Sequence, residues 1–379
     1  MDHNTCIYDY TNLVMGATEI RSSRRMMDKL HMINIEKYGY DSFFKQQFEL
    51  RKNENLVPGR VIGVYKSAYK VMTLNGEVIA ELSGNYYNRV IYKSDFPCVG
   101  DWLLLNKSNI IIDLMERKTK LSRKTPGKKV DEQILAANVD VLFIVTSLNK
   151  EFNSRRIERY LATAINQGIK PAIILTKMDA CNDVVAYIEK LNQIAPEVTC
   201  IFTSAYEKVG IEGIFDELSE GKTGVFIGSS GVGKSTLVNV LMGEEVQKTF
   251  DIRIQDHKGR HTTTHRELFI LANNGNIIDT PGIREIHLWS DNNSSGGFED
   301  IEEYARQCRF RDCQHIHEHD CAVRKAIEEN KIDKERFKNY LKLQRELYYS
   351  SLQHDKREKI AFQKQIKRKS KIEGLSLKK

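Results

Sequence analysis

The stretch Gly228-Ser229-Ser230-Gly231-Val232-Gly233-Lys234-Ser235-Thr236 constrains this chain more than any other, because it stands between an apolar run, Val225-Phe-Ile, and a helix-forming run, Leu237-Val-Asn-Val-Leu. That order reads as strand, phosphate loop, helix. Glycines let the backbone curl so that successive N–H groups face inward at phosphate oxygens. Lys234 then places a point charge on the outer phosphates, and the Ser235 hydroxyl suits Mg²⁺. A Gly-rich turn without a nucleotide is the plain alternative, which the flanking strand and helix disfavour.

A chain of 379 residues, 41% of them apolar, suits two or three domains with at least one substantial core. No apolar run approaches the ~20 residues of a membrane span, and the N-terminus lacks the apolar segment of a signal peptide, so a cytosolic protein without membrane attachment is expected. Net charge is +7, yet from Leu341 onward twelve Lys/Arg face four acids, so the tail's +8 exceeds the total. The basic face is therefore local, suiting either a polyanion such as RNA or a solvated charged helix.

Residues 1–55 form an N-terminal extension in which a short helix is expected, ended by Pro58-Gly59. From Gly59 the pattern turns to short β-rich runs, Arg60–Tyr65, Ala68–Leu74, Val78–Leu82, Asp101–Leu105 and Ile110–Leu114, with Asn75-Gly76 as a hairpin turn. About five short strands over residues 56–120 predict an OB-type β-barrel. Basic residues at 60, 66, 70, 89 and 93 and tyrosines at 65, 69, 86, 87 and 92 favour RNA over a purely structural barrel. Leu121 to Gly127 reads as a basic linker.

Beyond it, near-continuous apolar strands alternate with helices: Val139–Thr146, a helix through Arg155–Ala164, Lys170–Thr176, a helix through Val184–Leu191, and Thr199–Thr203. This predicts a parallel sheet covered on both faces, with ligands at the carboxyl ends of its strands. At those ends stand Thr176-Lys177-Met178-Asp179 and Ser204-Ala205. Asp179 can accept from two adjacent N–H donors, which guanine offers on N1 and N2 and adenine does not. The Lys177 stem can lie along the base, and the Ser204-Ala205 backbone can donate to the guanine carbonyl. Downstream, His261-Thr262-Thr263-Thr264 and Asp279-Thr280-Pro281-Gly282 read as switches: Thr263 or Thr264 and Asp279 toward Mg²⁺, the Gly282 N–H toward the γ-phosphate.

Base-reading segments placed before the phosphate loop, in the order T-K-x-D, S-A, G-x-x-x-x-G-K-S, T-T-T, D-T-P-G, resemble the circularly permuted GTPases. With a barrel in front and Cys/His behind, the chain resembles the RsgA (YjeQ) family over roughly residues 56–330. The resemblance implies an OB-fold barrel (56–120), a circularly permuted α/β P-loop GTPase domain (121–290) and a helical zinc-binding domain with a basic tail (291–379). It further implies GTP hydrolysis stimulated by the 30S ribosomal subunit and its 16S rRNA during late maturation of that subunit, by a monomer.

Cys308-x4-Cys313-x-His315-x5-Cys321 offers a soft tetrahedral set suited to one structural Zn²⁺. His317 and His319 are rival ligands, and the family pattern matches His315. Ile283 stands where many GTPases carry a water-orienting glutamine, so slow unaided hydrolysis is expected, with His261 as a candidate to position or deprotonate water once a partner orders its loop. The rival reading from another class is an RNA-binding module that senses GTP and GDP and hydrolyses only incidentally.

Overall fold

The computed structural model describes residues 33–51, 55–125, 132–243, 266–279, 297–349 and 352. Five strands close the expected barrel: β1 (Leu56–Val64), β2 (Tyr69–Thr73), β3 (Gly76–Leu82), β4 (Trp102–Asn106) and β5 (Ile110–Leu114). They run in the order β1-β2-β3-β5-β4, with β4 pairing back to β1 and β3 parallel to β5. Closure removes the exposed edges that a flat sheet would present. Pro58-Gly59 ends no helix. It lies inside β1, where Gly59 faces both Thr73 and Leu103, and a Cβ there would stand 2.6 Å from the Val71 side chain.

Side-chain alternation divides β4 between two cores. Leu103 and Leu105 point into the barrel with Val61, Val71 and Ile111, while Trp102 and Leu104 face outward. Helix α1 (Ser42–Arg51) covers that outer face through Phe44, and Tyr40 packs on Trp102 with ring centroids 4.8 Å apart. The aromatics before residue 50 thus lack a long helical period because they cap a barrel. Between β3 and β4 the chain makes α2 (Gly84–Arg89).

The stretch read as a linker is half of a hairpin: β6 (Lys120–Lys124) pairs antiparallel with β7 (Glu132–Ala137). Its charges hid Leu121, which is fully buried beside Leu135.

The predicted parallel sheet follows, built from β8 (Val141–Ser147), α3 (Ser154–Asn166), β9 (Lys170–Thr176), α4 (Val184–Ile194), β10 (Thr199–Phe202), α5 (Glu212–Glu217), β11 (Thr223–Ile227), α6 (234–243), β12 (Glu267–Ile270) and β13 (Asn276–Asp279). The order is β10-β9-β8-β11-β13, all parallel, with β12 antiparallel at the end. Both faces are covered, so its strands need no polar alternation. Leu142 and Ile144 pack with Leu161 of α3 and Leu191 of α4 on one side, and Val141, Phe143 and Val145 with Ile214 of α5 and Leu237 of α6 on the other.

Strand β12 also meets β1 at Glu267 and Gly63, so barrel and parallel sheet form one continuous sheet. Two cations counted as RNA contacts are taken up inside the fold. Lys70 bonds Glu77 at 2.9 Å and Glu267 at 3.1 Å. Arg60, 1% exposed, donates to the Tyr38, Gly100 and Asn138 carbonyls and to the Thr223 hydroxyl. Burial lowers its pKa to about 10, against the pull of Asp140, Asp101 and Asp41. Tyr69 and Tyr86 are likewise buried, leaving Lys66, Arg89, Lys93, Tyr65 and Tyr87 exposed on the barrel.

Helices α7 (Glu299–Ala305), α8 (Ala322–Glu328) and α9 (334–349) form a C-terminal module whose core includes Phe298, Ile301, Val323, Tyr340 and Leu343. Arg336 of α9 fastens it to α3, bonding Glu158 at 2.6 Å and Asp300 at 2.8 Å while lying 4.8 Å over the Phe298 ring. Asn339 adds a bond to the second Glu158 oxygen at 2.9 Å. Burial, with Asp300 adding, raises the pKa of the Glu158 carboxyl, and Arg336 and Asn339 oppose it. Among the described residues no helix is long and apolar enough to cross a membrane.

Candidate functional site: a nucleotide rim and a Cys3His cluster

Strands β8, β9, β10, β11 and β13 end on one rim, which gathers segments more than fifty residues apart in sequence. The phosphate loop curls there through three glycines with positive φ: 153° at Gly228, 82° at Gly231 and 98° at Gly233. Side chains rarely adopt such backbones. At Gly228 a Cβ would also stand 2.2 Å from the Val145 carbonyl oxygen, so the loop's entry admits glycine alone. Ser230, Gly231, Ser235 and Thr236 are exposed, Val232 is buried as the loop's anchor, and Ser229 is half-buried. Lys234 folds back along its own loop, donating to the Gly228 carbonyl at 2.8 Å and the Ser229 carbonyl at 2.6 Å.

The base-reading segment is strapped to this loop. Thr176 donates its hydroxyl to the Val232 carbonyl at 2.6 Å, and Lys177 reaches the Gly231 carbonyl at 2.9 Å. Lys177 adopts a left-handed backbone, φ 61°, at a cost of about 1–2 kcal/mol that the packing around it must offset. Asp179 accepts a hydrogen bond from the Ser204 hydroxyl at 2.7 Å, so the two base-reading segments also meet. Met178 donates its N–H to the Thr203 carbonyl. The Ala205 N–H has no acceptor among the described residues. Asp279 stands at the end of β13, level with Glu267. His261, Thr263, Thr264 and Gly282 lie outside the described residues.

In the C-terminal module the ligand atoms of Cys308, Cys313, His315 and Cys321 all lie within 4.8 Å of one another. Sulfur to sulfur is 3.8 Å for Cys308 and Cys321, and His315 Nδ1 lies 3.5 and 3.4 Å from those two sulfurs. The fold thus selects His315 over its rivals, with the aid of a left-handed backbone there, φ 61°. Although burial works against it, N–H groups of Val323 and Ala322 at the start of α8 lower the Cys308 thiol's pKa.

Sequence reasoning missed the groups that hold these sites in place. Glu318 accepts N–H bonds from Gln314, Ile316 and His317, closing the loop that carries His315. Those bonds, led by the one from Gln314, depress its carboxyl to about 2. No spacing rule marks an acid that serves backbone donors. Thr176 carried a signal, its place before Lys177, but its contact is with the phosphate loop.

Comparison with known proteins agrees with this geometry. The family model described as RsgA GTPase matches residues 114–289. The small ribosomal subunit biogenesis GTPase RsgA 2 of Listeria monocytogenes is 40% identical over 319 residues, covering 84% of this chain and 90% of its own length. RsgA 1 of Bacteroides thetaiotaomicron is 39% identical over 334 residues, covering 86% and 93%. The crystal structure of YjeQ from Thermotoga maritima superposes with a TM-score of 0.58 at 25% identity, covering 77% of this chain and 99% of that one. Identity at this level over more than four fifths of its length places the chain in the RsgA family, and its activity is GTP hydrolysis.

Proposed function

We propose that GTP hydrolysis at this rim is switched on by the small (30S) ribosomal subunit, through its 16S rRNA, during late maturation of that subunit. The observation that carries the reading is the strapping of Thr176-Lys177-Met178-Asp179 to the phosphate loop on one side and to Ser204 on the other. Asp179 then reads guanine N1 and N2, and the free Ala205 N–H meets the base carbonyl. The loop from Gly228 to Thr236 cradles the phosphates, and Lys234 trades its carbonyl partners for phosphate oxygens. Ser235 and Asp279, with Thr263 or Thr264, would hold a magnesium ion, which neutralises charge on the phosphate oxygens. The Gly282 N–H serves the γ-phosphate, and His261 positions the attacking water, a task Ile283 cannot perform.

The partner is inferred from the relatives' names, from Lys66, Arg89, Lys93, Tyr65 and Tyr87 exposed on the barrel, and from the basic tail. Such a partner implies a cytoplasmic protein, and we read it as a monomer. The Cys3His cluster suits zinc: thiolates ~2.3 Å and a nitrogen ~2.1 Å from a tetrahedral ion stand about 3.6–3.8 Å apart, close to the 3.4–3.8 Å among Cys308, His315 and Cys321, with Cys313 inside the 4.8 Å that spans all four. Four protein ligands leave no open position, so the ion is structural.

Turnover of the purified chain with and without small subunits tests the reading. Stimulation by orders of magnitude, lost in His261→Ala while GTP affinity stays, is the expected outcome, since partner-completed GTPase sites gain roughly 10³- to 10⁵-fold. Equal turnover with and without subunits favours the nucleotide-sensing RNA-binding module instead.

A further inference from the structure

Beside the base-reading residues stands a side chain that makes no hydrogen bond or ring contact among the described residues. Tyr206 follows Ser204-Ala205 directly and is 90% exposed, more than any other large apolar side chain among the described residues. Single exposed apolar residues are ordinary. The loop that presents this one is not loose. Ser204 and Val209 exchange backbone hydrogen bonds at 3.1 and 3.0 Å, closing a turn of four residues with Tyr206 near its tip. The Glu207 N–H donates to the Ser204 hydroxyl at 3.1 Å, and that hydroxyl donates to Asp179.

Left-handed backbone at Lys208, φ 55°, and at Gly210, φ 74°, fixes the return, and a Cβ on Gly210 would stand 1.9 Å from the Phe202 carbonyl oxygen. One hydroxyl therefore ties the carboxylate that reads the base edge to the turn that carries the ring. Across the site, the Lys177 stem runs toward Gly231 and forms one wall. Neither of these two segments carries another aromatic.

We propose that Tyr206 stacks on the guanine face turned away from the Lys177 stem, making it a nucleotide-binding residue that adds affinity without choosing the base. The proposal rests on the guanine site described above. Every purine has a π-face, so stacking strengthens binding alike for bases that differ at their edge, whereas Asp179 discriminates by edge. The turn holds the backbone at Tyr206, so only the side chain has to order when the nucleotide arrives.

Calorimetric titration of the full chain with GDP and with IDP, which lacks the 2-amino group, tests this. Tyr206→Ala should weaken both nucleotides by the same factor, roughly tenfold, the usual scale for losing a base–aromatic stack. Tyr206→Phe should stay within about twofold of the parent. Unchanged GDP affinity in Tyr206→Ala, or an equal loss in Tyr206→Phe, overturns the stacking role while leaving the guanine site intact. Failure of the parent chain to bind GDP at all would overturn the site itself. Should the alanine variant fold poorly, a nuclear Overhauser contact between GDP H8 and a tyrosine ring, present in the parent chain and absent from Tyr206→Phe, supports the stack equally well; no such contact counts against it.

Discussion

The nucleotide rim and the Cys3His cluster offer two opposite kinds of ligand site. The rim is assembled from strand ends and loops that belong to a sheet whose central strands are wholly buried, so its shape is set by a core that no ligand touches. The donors it offers are largely backbone N–H groups, and Lys234 rests on loop carbonyls that it can exchange for phosphate. The cluster draws four side chains from fourteen residues in a module of short helices, two of them only seven residues long. Helices that short are marginal alone. A site built on a large core can exchange its ligand and stay folded, whereas a site that ties short helices together cannot.

Removing each ligand in turn tests this contrast hardest. Structural zinc is worth roughly 10–16 kcal/mol in small zinc modules, more than most domains have in hand. Chelation, or Cys308→Ser, should make residues 297–349 protease-sensitive while GDP affinity stays within about twofold. Stripping the nucleotide should leave the whole described fold protected. A module that stays resistant after its metal is removed breaks the comparison.

The joint between the regions comes next in size. Arg336→Ala leaves Glu158 buried without its cation, an expected loss of about 3–5 kcal/mol that denaturant unfolding of the C-terminal module would register. Lysine should not rescue it, since one ammonium cannot span Glu158 and Asp300 as the guanidinium does. An alanine variant as stable as the parent would mean that the module is held without this ion pair.

The smallest effect lies outside both regions, in the barrel cap. The buried Tyr40 hydroxyl has no hydrogen-bond partner among the described residues, and burial, with Glu49 adding, pushes its phenol up to about 12. Tyr40→Phe should therefore stabilise the fold by about 1 kcal/mol, read as a rise of a few degrees in Tm. A phenol that ionises near 10 when unfolded and about 12 when folded contributes stability that is whole below pH 10 and fades as pH climbs toward 12. The phenylalanine variant should lose less stability over that window, with neither site's affinity altered. An equally steep alkaline decline in both proteins would show that Tyr40 does not titrate in this way.

Both sites were legible because their chemistry dictates spacing. A phosphate cradle needs its glycines in one run, and a tetrahedral metal needs its thiolates within reach of a short loop. The five barrel strands and the parallel sheet were legible from apolar runs and turns. What could not be read was the joinery. Arg60 and Lys70 look like surface cations in sequence, and only tertiary partners bury them: β12 brings Glu267 to Lys70, while Tyr38, Gly100, Asn138 and Thr223 surround the Arg60 guanidinium. Glu158 lies on a helix whose other charged residues, Arg155, Arg156 and Arg159, stay at least partly exposed, and its partner stands 178 positions away. The hairpin through Leu121 was hidden by its charges, because a strand with one buried leucine carries too little pattern to separate from a linker.

The central claim is that Asp179 reads the guanine edge of a nucleotide whose phosphates lie on the Lys234 loop. Asparagine at 179 presents one acceptor and one donor in place of two acceptors, which suits xanthine, whose N1–H stands beside a carbonyl at C2. Calorimetry of Asp179→Asn with GDP and XDP is the most direct measurement. Affinity for GDP is predicted to fall at least tenfold while XDP binding appears or strengthens. Unchanged preference for GDP over XDP in that variant would contradict the claim.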